Sequence, residues 1–360
     1  MWYETAVTKK LNIRYPIIQA GMAGGVTTPE LVAAVSNSGC LGTLGAGYMT
    51  VNALRQSIQQ IKKITNQPFA VNVFIPEMPS VEDEAIKKAN NLLEGYRTQL
   101  NISEPFEVKI PECAHFEAQL AVLIEEKVPI CSFTFGLPER EIMDRLKREN
   151  IVIIGTATTV REALENEAAG VDLVVMQGSE AGGHRGSFSS SFDEAMIGTT
   201  ALIPQTVDQV QVPVIAAGGI MDGRGILSAL LLGAEAVQMG TAFVTTSESG
   251  AKSLHKEAIL SSSEEELVVT SVYSGKAARG IRNDFINELT PYEKDLPNYP
   301  IQNSLTQGIR SEAAKQKRPE WMSLWCGQAP RLSKNQSVEV LIESFLSQIN
   351  VLLTEKIKHW

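Results

Sequence analysis

The sequence predicts an α/β fold, a TIM (β/α)8 barrel with a small second domain after strand eight. Three observations carry this. Eight short apolar runs recur along the first 245 residues, helical text separates them, and most runs start about 20–40 residues apart, the length of a βα unit.

The strand-like runs are 16–19, 40–44, 69–74, 130–135, 151–155, 173–177, 212–216 and 236–239. Most are apolar at successive positions, the pattern of parallel strands covered on both faces. Between the first two, Thr28-Pro29-Glu30 supplies a cap, a proline at the first helical position and an acid in the first turn, and Gly39 closes the segment. Residues 51–64 show apolar positions at helical spacing, and helices follow at 139–148, 159–169 and 224–232. The last is preceded by Asp222-Gly223 and stopped by Gly233.

One gap is too long for a single unit. Between Phe74 and Ile130 the chain passes Pro76, Pro79, a charged helix-like stretch and a second helix near 115–127. This predicts an excursion at about 76–127 near the barrel mouth. Past Phe243 the barrel signal ends. A polar linker at 261–266, a strand at 267–274, a turn-rich stretch at 291–300 and helices at 301–317 and 337–357 follow. The expected division is a barrel over 1–245, a small substrate or lid domain over 246–335, and a terminal helix over 336–360 that packs back on the barrel. No repeat appears beyond the βα alternation.

Composition limits the function. Of 360 residues 44% are hydrophobic, enough for a large core without staples. Forty-one acids against 32 bases give a net charge of −9, which argues against nucleic acid, whose phosphates require clustered Lys and Arg. No apolar stretch is long enough to span a membrane. The first 16 residues carry charges and lack the apolar block of a secretory leader. Cys40, Cys113, Cys131 and Cys326 show no C-x-x-C spacing, so reduced thiols in a cytoplasmic protein are expected, with Cys40 and Cys131 in the core. No histidine pair stands at i, i+4, so no histidine metal site is expected. His115, His255 and His359 lie in polar helical text and are expected to face solvent.

Catalytic groups of such a barrel sit at the C-terminal ends of its strands. Glycine and polar residues concentrate there. The ends read Gln19-Ala20-Gly21-Met22, Gly45-Ala46-Gly47, Gln177 through Gly186, Ala217-Gly218-Gly219 and Gln238-Met239-Gly240-Thr241. A phosphate needs converging backbone N–H groups with no side chain in the way, and the loops after strands seven and eight are its usual place. Gly218, Gly219, Gly240 and Thr241 are therefore candidates for that role, against the plainer reading of tight corners.

Asn72 and Gln177 are amides inside apolar runs, suited either to a flat heterocycle or to a loop backbone group. Met22 reads as a ring-facing contact or as packing filler. His184, alone in a glycine-rich loop at a strand end, is the sharpest candidate for an acid, a base or a cationic anchor. Lys276, Arg279 and Arg282 form a basic cluster, ready for an anion or simply solvated.

Together these residues resemble a known family. Q-A-G-M-A-G-G-V-T-T-P at 19–29, L-G-A-G-Y at 44–48, F-A-V-N-V-F at 69–74, Q-G-S-E-A-G-G-H-R-G-S-F at 177–188, A-A-G-G-I-M-D-G-R-G at 216–225 and A-V-Q-M-G-T-A-F at 236–243 look like nitronate monooxygenase, bacterial class, formerly called 2-nitropropane dioxygenase. S-G-K-A-A-R-G-I at 274–281 and S-L-W-C-G-Q at 323–328 resemble the same class.

The resemblance implies FMN as cofactor and His184 as catalytic histidine. With the strand-end loops it makes Ala20, Gly21, Met22, Asn72, Gln177, Gly182, Gly183, Gly218, Gly219, Gln238, Met239, Gly240 and Thr241 the expected cofactor-binding set, with no metal. It implies oxidation of an alkyl nitronate by O2 to a carbonyl compound and nitrite, with propionate 3-nitronate as an example. Lys276, Arg279, Tyr299 and Lys315 are candidates for a substrate carboxylate. His184 would hold the bound anion as imidazolium or take the α-proton of a neutral nitroalkane. The family often has proline where Gly21 stands. The nearest alternative is an FMN-dependent enoyl-[acyl-carrier-protein] reductase using NAD(P)H. A flavin-binding module without catalysis is a more distant one.

Overall fold

The eight apolar runs form parallel strands in which nearly every side chain is buried. The structure is a computed structural model that describes residues 1–79, 82–103, 108 and 113–356. In chain order the strands are β1 Ile17–Gln19, β2 Gly42–Gly45, β3 Phe69–Phe74, β4 Ile130–Thr134, β5 Val152–Ala157, β6 Leu173–Gln177, β7 Gly183–His184, β8 Val214–Ala217, β9 Ala236–Met239, β10 Leu267–Thr270 and β11 Ala278–Ile281. The parallel sheet runs β1-β9-β8-β6-β5-β4-β3-β2.

Its two ends meet. Ile18 bridges Leu41, with Leu41 N donating to Ile17 O at 3.0 Å and Gln19 N to Leu41 O at 2.9 Å. Farther along, the buried Gln19 carboxamide accepts from Thr43 N at 3.0 Å and donates to Thr43 O at 3.1 Å. A side-chain amide thus replaces the missing ladder bonds and closes the barrel.

Some boundaries move for local reasons. The seventh barrel strand starts at Val214, after Pro213, because proline brings no N–H to the ladder. At Gly42 an added Cβ would lie 2.1 Å from Val32 O, so glycine is what lets the helix Pro29–Asn37 approach β2. Four of the barrel helices begin on side-chain caps, at Thr28, Thr50, Thr159 and Asp222.

The long gap holds two helices with different roles. Cys113–Glu125 covers the barrel wall beside Val51–Ile64 and β3. Asp83–Gln99 does not join the wall. Its Ala89, Leu93 and Tyr96 enter a second core with Phe285, Leu305, Ile309 and Trp321. The small domain therefore draws on a segment inserted after β3 as well as on chain after β9.

Within that domain the expected strand 267–274 ends at Thr270. The Glu293 carboxylate accepts from Thr270 Oγ1 at 3.0 Å and from Ser271 Oγ at 2.8 Å, and Ser274 N turns back to Ser271 O at 3.1 Å. The expected linker 261–266 is the end of the helix Ser253–Ser261 and a 3-10 turn at Glu264–Glu266. β10, β11 and β7 form a three-stranded antiparallel sheet, with Ala278 paired to His184 and Arg279 to Gly183. The loop after β6 is thereby bonded into the small domain. The helix Val338–Val351 returns to the barrel, where Gln348 Oε1 accepts from Gly223 N at 2.9 Å.

His255 corrects one expectation. It is buried, with its Nε2 2.8 Å from Trp325 O, because the helix Ser253–Ser261 turns that face inward. His115 is half-buried with Nε2 3.1 Å from Met49 O, and His359 lies outside the described residues. Cys40 and Cys131 are buried, and burial pushes both thiols up. Among the described residues no helix is long and apolar enough to cross a membrane, and no His/Cys/Asp/Glu cluster could hold a metal.

Candidate functional site

A cavity of about 490 Å³ opens at the C-terminal ends of the parallel strands and is roofed by the small domain. Every residue of the expected cofactor set lines it, and so does His184.

One end is glycine-rich. Gly218 and Gly219 have φ of 113° and 71°, a conformation that favours glycine. The amides of Gly218, Gly219, Gly240 and Thr241 donate to no acceptor among the described residues. Small-domain chain packs alongside. Gly327 N donates to Thr241 Oγ1 at 2.9 Å, and Gln328 N to Glu180 O at 2.9 Å. A Cβ on Gly182 would lie 2.5 Å from Gly327 N. The Glu180 carboxylate accepts from Thr199 N at 2.9 Å and Thr199 Oγ1 at 2.8 Å, which fixes the loop below. This end presents unengaged N–H groups in a rigid frame, suited to an anion.

The side-chain amides Asn72 and Gln177 line the cavity as well. Gln177 is used by the loop: its Nε2 donates to His184 O at 3.0 Å and its Oε1 accepts from Gly186 N at 2.8 Å. The loop backbone is thus one partner of that amide, which also lines the cavity. Asn72 Nδ2 donates to Ser132 Oγ at 2.9 Å and Thr134 Oγ1 at 3.1 Å, while Asn72 Oδ1 is buried without a partner. A buried acceptor left open costs stability. Gly21 packs against this residue, since a Cβ there would fall 2.5 Å from Asn72 Cβ. The chain at Gly21 is therefore confined, and a proline there would require Asn72 to move.

His184 stands in an aromatic surround of Phe135, Tyr299 and Trp325, with ring centroids 6.1, 6.0 and 5.4 Å away. Its Nε2 lies 2.8 Å from Ser274 Oγ. Desolvation first, then the charges of Arg310 and Lys276, lower its pKa to about 3. Burial and the two nearby cations therefore favour the neutral ring in the unliganded cavity.

The three expected substrate cations and the one phenol separate. Lys276 lines a smaller adjoining cavity, over the Phe135 ring at 4.8 Å, and is neutralised by Glu77 at 2.7 Å. Arg279 is buried and structural: Nη2 donates to Ser179 O at 2.9 Å and Nη1 to Gln328 Oε1 at 2.5 Å. Tyr299 is buried against His184, its hydroxyl 3.4 Å from that of Tyr48. Lys315 does not reach the cavity; it is exposed and paired with Glu312 at 2.9 Å, because it falls on the outer face of the helix Ile301–Lys315. Arg282 is exposed as well.

Sequence reasoning missed Arg310, Tyr48, Trp325 and Ser274. Arg310, Tyr48 and Trp325 line the cavity, and Ser274 bonds the histidine. Asn303, Gln307, Arg310 and Ser311 share one helical face at i, i+4, i+7 and i+8. That polar face was the available signal, but a polar helix face ordinarily meets water.

The chain is similar to known proteins over nearly its whole length. The profile of the nitronate monooxygenase family matches residues 4–348. A probable nitronate monooxygenase of Staphylococcus haemolyticus is 53% identical over 98% of this chain and 99% of its own. One from Staphylococcus aureus is 50% identical over 99% of this chain and 100% of its own. Among solved structures, nitroalkane oxidase from Streptomyces ansochromogenes superimposes with a TM-score of 0.90 at 39% identity, over 97% of this chain and 99% of the other. FabK from Thermotoga maritima gives 0.79 at 31%, over 99% of both chains.

Proposed function

Since the chain belongs to the nitronate monooxygenase family, we propose that it binds FMN and uses O2 to convert alkyl nitronates to carbonyl compounds and nitrite. The observation that carries this reading is one cavity with two ends. Unengaged amides of Gly218, Gly219, Gly240 and Thr241 form one, and the open acceptor of Asn72 with the neutral ring of His184 forms the other. A flavin mononucleotide fits both demands. Its phosphate would take the glycine amides, and a ring N–H would satisfy Asn72 Oδ1.

When bound, FMN supplies the redox chemistry between nitronate and O2. The protein binds and orients. Gly182, Gly183 and the strand-end residues Ala20, Gly21, Met22, Gln238 and Met239 would contact the cofactor, while Gln177 holds the loop that carries His184. A nitronate already lacks its α-proton and needs no base. For a neutral nitroalkane, neutral His184 takes that proton on its free nitrogen. The Phe135, Tyr299 and Trp325 rings limit the water around it. Propionate 3-nitronate is the substrate to test first.

The test mixes purified yellow protein anaerobically with propionate 3-nitronate and, separately, with NADH, and follows the flavin spectrum. The expected result is a rapid response to the nitronate. Rapid reduction by NADH with no response to the nitronate would replace this reading by the enoyl reductase.

A further inference from the structure

The helix Ile301–Lys315 lays Asn303, Gln307, Arg310 and Ser311 along the cavity wall. Arg310 is held on one side only. Its Nη2 donates to Asn303 O at 3.0 Å and to Asn303 Oδ1 at 2.7 Å. Among the described residues its Nη1 donates to no protein atom and no carboxylate lies within ion-pair distance. Lys276, the other cation that acts on His184, already has its counter-ion in Glu77. The site thus holds one uncompensated guanidinium, enclosed by protein and fixed in orientation by Asn303. A charge out of bulk water is unfavourable unless paired, so a cavity that keeps one is built to receive the opposite charge from a ligand.

We propose that Arg310 is the anion anchor of this site, receiving a planar O–N–O or O–C–O anion through Nη1 and selecting the charged nitronate over its neutral nitroalkane. The proposal rests on the nitronate reading for the identity of the substrate. The anchor itself rests on the unpaired guanidinium. Nitronate and carboxylate groups share the chemistry an arginine recognises, two oxygens of one negative charge. The substrate's reacting group or a carboxylate on its tail could each supply it.

The experiment uses holoenzyme, wild type against Arg310→Met and Arg310→Lys. The first readout is kcat/KM on ethyl nitronate, on propionate 3-nitronate and on nitroethane. The ratio of ethyl nitronate to nitroethane should fall roughly 10- to 100-fold in Arg310→Met, the loss expected for a charge-assisted hydrogen bond, and recover in part in Arg310→Lys. A fall confined to propionate 3-nitronate would assign the anchor to the tail carboxylate instead.

The second readout needs no turnover. Propionate is titrated while the flavin spectrum and tryptophan emission, to which Trp325 contributes from the cavity wall, are followed. Binding that weakens in Arg310→Met supports the anchor, even if no nitronate is turned over and the functional reading fails. Equal losses on charged and neutral substrates, or altered flavin content with unchanged propionate binding, would overturn it in favour of a cofactor contact.

Discussion

The Ser274 hydroxyl donates to Lys276 O at 3.0 Å, so its oxygen is left to accept the Nε2 proton of His184 at 2.8 Å. A hydroxyl has one proton, and that fixes the histidine tautomer. Nε2 carries hydrogen and Nδ1 keeps its lone pair, with no partner among the described residues. A base poised for a carbon-bound proton results. Ser274→Ala should lower kcat on a neutral nitroalkane about 10-fold, within the range for general base catalysis, with little change on the nitronate. Ser274→Thr should restore it. Removing the base itself, in His184→Asn, should cost roughly 100-fold or more on the nitroalkane. A His184→Asn protein that retains flavin and full turnover on both substrates would refute the role.

The pH dependence follows from the same ring. Desolvation, then Arg310 and Lys276, place the folded pKa at about 3, below the ordinary value of 6.5. The active base is the neutral form, so activity on a nitroalkane is present above the folded pKa and lost as pH falls through it. No histidine limb should appear in kcat/KM between pH 8 and 5. An acidic limb near the ordinary histidine value would contradict this. Arg310→Met removes one of the two nearby charges, so the histidine should titrate at higher pH in that variant.

The barrel was legible because burial on both faces writes itself as continuous apolar runs, as in β3, β6 and β9. The glycine corners were legible because a strand-end Gly218-Gly219 has few other uses. The small domain was harder. Tyr96 and Trp321 meet at 5.2 Å across more than 200 residues of chain, and no local pattern announces such a contact. The partners of the candidate cations were hidden for a related reason. Lys276 and Arg279 stand beside the recognisable loop motif, yet one is neutralised by Glu77 and the other holds Ser179 O. Arg310 reads in sequence as one more charge on an amphipathic helix, and its enclosure exists only once the domain folds over the barrel.

Arg279 gives a prediction that separates scaffold from site. Its guanidinium joins the loop after β6, at Ser179 O, to Gln328 of the small domain. Arg279→Ala leaves those acceptors open and should destabilise the protein by about 2–3 kcal/mol in urea unfolding. At a temperature where the variant stays folded, its KM for a nitronate should stay within about 3-fold of wild type, since a group that does not touch substrate contributes no uniform binding. A large KM rise without loss of stability would return Arg279 to the substrate site.

Gly182 tests how closely the small domain is fitted to the loop after β6. An added Cβ would lie 2.5 Å from Gly327 N and 2.6 Å from Cys326 C, both backbone atoms that cannot swing aside. Gly182→Ala must therefore separate the loop from residues 326–328 and disturb the bond from Gly327 N to Thr241 Oγ1. The fold should survive at a cost of about 1–3 kcal/mol, the range for overpacking. Flavin retention should suffer more, seen as a lower flavin-to-protein absorbance ratio after gel filtration. Gly95→Ala is the matched control. It sits exposed in the helix Asp83–Gln99 with nothing within 4 Å of its added Cβ, so it should stabilise by about 0.5–1 kcal/mol and leave flavin content unchanged. If Gly182→Ala keeps its flavin as fully as Gly95→Ala does, the loop does not depend on that contact and the small domain is not what holds the cofactor.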